Sequence, residues 1–279
     1  MLSLNEIKDI QKAYDIRPKK SLGQNFIIDK NIISKMVRLF QLMPSDIVLE
    51  IGPGLGALTE PLSKKCNRVI AVEKDAKLSQ VLRQLLKSRQ VRNVSIVHED
   101  FLDYRIGDDV SVIAGNIPYN ISSPILEKII NKFANSKKVI YLTVQKEFAD
   151  RICAKKGSRD YSSLTLFVEL YASARVILKI SRNCFYPQPA VDSVTLKINF
   201  LEKPKVNIGD KVFFHAIIRN SFMHRRKTIV NSLALYEDIK QSKHDLMRLL
   251  QKSGVNPDSR PEMLGLDDFA KIYRSLNEE

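Results

Sequence analysis

The 279-residue chain is 44% hydrophobic and 27% charged, which supplies a globular core and excludes a disordered chain. Lys and Arg outnumber Asp and Glu by 45 to 31, giving a net charge of +14 and a surface that attracts polyanions. No apolar run approaches the roughly 18 residues of a membrane span, and the N-terminal "MLSLNEIKDIQKAY" carries Glu6 and Asp9 where a signal core would be apolar, so a cytoplasmic protein without a membrane partner is expected. Cys66, Cys153 and Cys184 are odd in number and far apart, which reads as reduced thiols. The four His are scattered, so no metal site is expected.

In chain order, "IVLEI" (47–51) reads as a strand entering a glycine turn, and "ALTEPLSKK" as the helix after it. "RVIAVE" (68–73) is a second strand. "KLSQVLRQLLKS" then places apolar residues at 78, 81, 82, 85 and 86 on one helical face. "VSIVHED" (94–100), "VSVIAGN" (110–116) and "KVIYLTV" (138–144) give three more strands with helices between or after them. This alternation predicts an α/β protein with a Rossmann-like parallel sheet and helices on both faces. "RVILKI" (175–180) and "SVTLKINF" (193–200) are expected to close the sheet edge as a hairpin-like pair.

Beyond "EKPKVNIGD" the pattern is helical only, so a sheet domain over 1–203 and a small all-α domain over 204–279 are expected. Within the latter, Phe214, Ile218, Phe222, Ile229 and Leu233 form one apolar stripe, leaving Arg225, Arg226 and Lys227 on a turn. "SRPEMLGLDDFAKIYRSL" reads as a last helix with Asp267 as its N-cap. Two basic clusters stand out: Arg17, Lys19 and Lys20, and the run Arg151–Arg159, "RICAKKGSR". Such runs are commonly solvated faces; beside a catalytic mouth they become phosphate contacts.

Ligands of an open α/β sheet lie at the carboxyl ends of its strands. There the sequence places Glu50-Ile51-Gly52, Glu73, Asp100 and Asn116, each polar or glycine after an apolar run. Gly52, Gly54 and Gly56 let a ligand approach the backbone, Glu73 can accept from ribose hydroxyls, and Asp100 from an adenine amine. The G-x-G-x-G spacing differs from the dinucleotide fingerprint, so S-adenosylmethionine fits better than NAD, which stays open on these residues alone.

The stretch Gly115–Tyr119, "GNIPY", suits a flat, amine-bearing base. Asn116 offers a side-chain carbonyl and Ile117 a main-chain one, Pro118 stiffens the backbone, and Tyr119 supplies a ring. The bland alternative is an Asn-Pro turn with a surface Tyr.

"SLGQNFI", "VLEIGPGLGALTEPL", "GNIPYNISSPIL", "CFYPQPAVDSVTLKI" and "RNSFMHRRKTIVNSL" together resemble the ribosomal RNA adenine dimethyltransferase family, nearest its small-subunit branch. The resemblance runs from about Arg17 to about Leu276. It implies an S-adenosylmethionine-dependent methyltransferase that dimethylates the 6-amino groups of two adjacent adenosines near the 3′ end of small-subunit (16S) rRNA. The partner so implied is rRNA within a ribosomal subunit precursor during late biogenesis. DNA is not expected as a substrate, and a monomer is expected, because no apolar surface stripe is left over. By motif, Asn25, Ile27, Gly52, Gly54, Glu73, Asp100 and Asn116 would bind the cofactor. Asn116, Ile117, Pro118 and Tyr119 would hold the target base with Phe185 packed beside it, and the helical domain would recognise rRNA.

Overall fold

The computed structural model describes residues 2–19 and 22–277; Lys20 of the first basic cluster and Ser21 of "SLGQNFI" lie outside the described residues. Two compact units form, one from Met1–Ala149 with Arg175–Phe200, the other from Asp150–Ala174 with Leu201–Glu279. The break after Phe200 falls close to the expected boundary, but residues 150–174, expected in the sheet domain, cluster with the C-terminal helices.

The first unit contains α1 (Leu4–Ala13), β1 (Phe26–Ile27), α2 (Lys30–Leu39), β2 (Ile47–Ile51), α3 (Thr59–Ser63) and β3 (Arg68–Glu73). It continues with α4 (Ala76–Ser88), β4 (Val94–His98), β5 (Val112–Asn116), α5 (Ser122–Phe133) and β6 (Val139–Gln145). The chain leaves through α6 (Lys146–Ile152), forms α7 (Ser163–Tyr171), and returns along β7 (Ala172–Ile180), β8 (Phe185–Tyr186) and β9 (Ser193–Phe200).

Seven strands form one sheet in the order β4-β3-β2-β5-β6-β9-β7. The first five run parallel, and β9 joins β6 antiparallel. Apolar residues on successive positions explain the burial of both faces. Val48, Val69, Ala71, Val112, Ala114 and Tyr141 pack in one cluster with Ile33, Met36 and Val37 of α2 and Leu62 of α3. Their alternates Leu49, Ile51, Ile70, Val72 and Ile113 are equally buried. Helix α4 begins at Asp75, whose carboxylate accepts from the amides of Lys77 and Leu78, and its predicted face buries Leu78, Val81, Leu82 and Leu86. Strand β4 stops at His98, short of the predicted Asp100, because Asp100 already opens a turn by accepting from the Leu102 amide.

The second unit adds α8 (Lys211–Met223), α9 (Ile229–Leu233), α10 (Lys243–Lys252) and α11 (Leu266–Asn277) to α7. All five residues of the predicted stripe are buried, on two helices separated by a turn that carries Arg225, Arg226 and Lys227. Asp267 lies inside α11 and is not its cap; Asp268 instead accepts from the Gly265 amide ahead of the helix. Among the described residues, no helix is long and apolar enough to cross a membrane, and no group of His, Cys, Asp and Glu could hold a metal.

Candidate active site

One crevice collects the carboxyl ends of β2, β3, β4 and β5, lined there by Glu50, Gly52, Gly54, Glu73, Asp100 and Asn116. Its opposite wall is the segment Leu22–Ile27 that leads into β1, which brings in Asn25 and Ile27. Pro118 also lines the crevice. Ile117 is buried, and Ile117, Tyr119 and Phe185 are not among the lining residues.

The turn after β2 takes φ values of 64°, 56° and 82° at Gly52, Gly54 and Gly56, a region that costs other residues strain. At Gly54 space is limiting as well, since a Cβ there would lie 2.9 Å from the Phe26 ring. Gly115 is required for a different reason: β5 runs beside β2 so closely that a Cβ would meet the Ile51 carbonyl at 2.6 Å. These glycines bring two backbones and an aromatic ring against one narrow floor.

Three carboxyl groups shape the electrostatics of that floor. Glu73 is buried, accepting from the Gly54 amide at 3.0 Å and the Asp75 amide at 2.9 Å; each oxygen keeps a lone pair for a ribose hydroxyl. Burial raises its pKa, the amide hydrogen bonds oppose the rise, and the Asp75 charge adds to it. Glu50 is 2% exposed, and its Oε2 has no partner among the described atoms. Burial pushes it up to about 8, with Thr59 opposing and the Glu73 charge adding. Asp100 is held low although its burial works the other way, because Lys74 lies 2.5 Å from its Oδ2 and the Leu102 amide binds its Oδ1. It therefore meets a ligand as a carboxylate whose charge is already balanced.

Asn116 ends β5 with its amide fixed. The Nδ2 donates to the Asn25 carbonyl at 2.8 Å, which leaves Oδ1 buried in the crevice lining without a partner among the described residues. An orphaned buried acceptor is costly unless a ligand supplies the donor. Pro118, with φ −57° and ψ 131°, turns the chain into Tyr119–Ile121, and its carbonyl accepts from the Ser122 hydroxyl at 3.1 Å. The Tyr119 hydroxyl is 2.6 Å from Ser193 Oγ at the start of β9. Phe185 pairs in register with Ile27, and at 3% exposure it belongs to the hydrophobic core.

The donor set suits a cationic adenosyl ligand. An orphaned acceptor on Asn116 and the unpartnered Glu50 carboxyl oxygen flank a glycine turn with room for a backbone-level contact. Among the described residues the lining bears acids and no lysine except Lys74, which is paired to Asp100. Residues that motif reading passed over include Leu22, Gln24, Phe26 and Phe101 as lining, Lys74 as the partner of Asp100, and Ser193 as the anchor of Tyr119. Asp75 was passed over as well, although it carries a local signal as a capping residue two positions beyond a strand-end acid.

The family described as ribosomal RNA adenine dimethylase matches residues 16–278. "Ribosomal RNA small subunit methyltransferase A" of Bacillus cytotoxicus is 36% identical over 98% of this chain and 96% of its own length. Among solved structures, a dimethyladenosine transferase from Plasmodium falciparum superposes with a TM-score of 0.77 at 28% identity, covering 90% of this chain and 96% of that one. The 23S rRNA methyltransferase ErmE, 24% identical, shares the fold with a TM-score of 0.65 over 90% of this chain and 99% of its own. An α/β methyltransferase sheet, a crevice of the right chemistry and this match over nearly the whole length agree, and the chain belongs to the ribosomal RNA adenine dimethylase family.

Proposed function

We infer that this chain is an rRNA adenine-N6,N6-dimethyltransferase that uses S-adenosylmethionine to modify small-subunit rRNA. We further propose that its targets are two adjacent adenosines near the 3′ end of 16S rRNA. It would reach them on a late subunit precursor in the cytoplasm, acting as a monomer. When bound, S-adenosylmethionine supplies an electrophilic methyl on a sulfonium. The observation that carries the reading is the Asn116 Oδ1, buried, unpartnered among the described residues and aimed by the bond from its own Nδ2 to Asn25.

An adenine amine is a weak nucleophile because its lone pair is delocalised into the ring. Asn116 Oδ1 and the Ile117 carbonyl would accept its two N–H bonds and favour a pyramidal nitrogen, so this is catalysis by positioning and preorganised dipoles. Asn116 Oδ1 and the Ile117 carbonyl would hold the amine as it exchanges a proton, lost to solvent, for the methyl that the bound cofactor supplies. Asn25, Ile27, Gly52, Gly54, Glu73 and Asp100 would hold the cofactor, with Glu73 on the ribose and Asp100 toward the adenine. Pro118 and Tyr119 would frame the target base. Phe185 would support that frame from beneath, through its register with Ile27. The helical unit would provide the rRNA-recognition surface.

The test is transfer of label from S-adenosylmethionine to small ribosomal subunits lacking the modification, followed by nucleoside analysis. Dimethyladenosine at two adjacent 3′-terminal positions is expected. Label confined to large-subunit RNA would overturn the substrate assignment, and tight subunit binding without label would overturn the catalytic one.

A further inference from the structure

Lys19 stands apart from the residues that line the crevice, yet it ends in an ion pair with an interior group. Its Nζ lies 2.7 Å from Asp75 Oδ2, and the Asp75 side chain is only 5% exposed. Asp75 Oδ1 accepts from the first amides of α4, and its own amide donates to Glu73 in the crevice floor. The carboxylate is therefore held at Oδ1 by two amides, and its backbone is tied to Glu73, before Lys19 reaches Oδ2. Burial works against its charge, but Lys19 and the α4 amides, with the Gln24 amide adding to them, hold its pKa low.

From Lys19 the order passes along the chain. The Lys19 amide donates to Gln24 Oε1 at 2.8 Å, and the Lys19 carbonyl accepts from the amides of Leu22 and Gln24. These hydrogen bonds tie Lys19 to the segment that sets Gly23 against the base-holding loop, where a Cβ would lie 3.1 Å from both Pro118 and Asn120. The next residue but one is Asn25, whose Nδ2 donates to the Gly23 carbonyl at 3.1 Å and whose carbonyl accepts from Asn116. Only Nδ2 of Asn116 can satisfy a carbonyl, so the position of Asn25 decides which way the Asn116 amide faces.

We propose that Lys19 and Asp75 are positioning residues for methyl transfer: their ion pair latches the Leu22–Ile27 wall, and through Asn25 it keeps the Asn116 oxygen turned toward the substrate amine. Without the latch the amide can rotate, presenting a donor to a donor. The same wall lines the cofactor crevice, so the latch acts on cofactor affinity and on the transfer step together. The inference rests on the proposed role of Asn116.

The experiment compares wild type, Lys19→Met, Asp75→Asn and the double variant in single-turnover transfer at saturating S-adenosylmethionine, beside calorimetric binding of the cofactor and thermal unfolding. Asp75→Asn keeps an oxygen for capping α4 while losing the charge. Each single variant is expected to slow transfer by roughly three- to tenfold and to weaken cofactor binding by a similar factor, as an ion pair with one buried partner allows. The double variant should be no worse than either single one, because both break one link. Lys19→Arg should restore the transfer rate. Wild-type transfer in Lys19→Met, or additive losses in the double variant, would overturn the proposal. A fall in unfolding temperature with the saturated transfer rate unchanged would also overturn it, by reducing the pair to a structural role. Inactive wild type would instead count against the assigned function, so the two failures are separable.

Discussion

The Tyr119 hydroxyl and Ser193 Oγ meet at 2.6 Å although 74 residues separate them. Tyr119 closes the "NIPY" stretch and Ser193 the "FYPQPAVDS" stretch, so two motifs that the sequence presents independently are parts of one wall. Ser193 is fully buried and opens β9, which is zipped antiparallel to β6. The partly buried phenol, its pKa raised by burial, is thus tied to the sheet.

Ser193→Ala is expected to release the Tyr119 ring and slow methyl transfer by about fivefold to tenfold, the worth of one hydrogen bond between neutral groups. Tyr119→Phe should match it, and the pair should not be additive. Steady-state kinetics with unmodified subunits check this; cofactor affinity should stay within about twofold, because neither residue lines the cofactor crevice.

Asn116→Ala should reduce transfer by about 100-fold or more, the scale of losing one preorganised polar group at a reacting centre. Cofactor affinity should fall far less, since the glycine turn, Glu73 and Asp100 are untouched. Full activity in this variant would remove the basis of the proposed mechanism. Equilibrium binding measured beside the transfer assay separates the two effects.

Glu50 predicts a pH dependence whose sign is fixed. Its folded-state pKa of about 8 lies above the ordinary 4.5, so the folded protein keeps a proton that the unfolded chain has released. Stability from this group is full below about 4.5 and is lost as pH rises through about 8. In ligand-free protein, Glu50→Gln should therefore stabilise more at pH 8 than at pH 5, by as much as a few kcal/mol at roughly 1.4 kcal/mol per pKa unit. Thermal or denaturant unfolding at the two pH values reads the difference directly. Binding of a cationic cofactor favours the ionised form, so wild type should also release a proton on binding near pH 7, visible in calorimetry as buffer-dependent heat.

The basic run of the second unit divides by its surroundings. Lys155 and Arg159 are exposed, whereas Lys156 is already 3.0 Å from Asp268. Lys155→Ala with Arg159→Ala should flatten the salt dependence of rRNA binding by about 0.7–0.9 in slope for each phosphate no longer neutralised, and Lys156→Ala should change it less. An unchanged slope would assign the run to solvent.

Much of this was readable in one dimension because it rests on local chemistry. Apolar runs of strand length, glycines at a tight turn and a stripe at helical spacing marked β2, β3 and α4 nearly residue for residue, while the C-terminal region was legible only as helical. What stayed hidden depends on partners distant in the chain or on the detailed geometry of a turn. The motif reading of Phe185 put it beside a base, but pairing of β8 with β1 sends it into the core. Asp267 resembled a cap because "LGLDDF" offers two acids, and the turn geometry at Gly265 selected the second. Residues 150–174 lie between strands of the sheet and were placed in the sheet domain, yet α7 packs with α8 and α11. No local signal reports such a choice.

The excursion of the chain between β6 and β7 has a consequence during synthesis. As β6 leaves the ribosome its outer edge has no neighbour, and the strand that covers it, β9, is made only after α7, β7 and β8. Exposed strand edges invite pairing with other chains. Meanwhile α7 waits for partners that are translated only after β9, namely α8 and α11. The nascent protein therefore carries an open sheet edge and an unpartnered apolar helix together. It becomes dependent on protection while that stretch is made, and translation rate through residues 146–200 should affect its yield more than rate elsewhere.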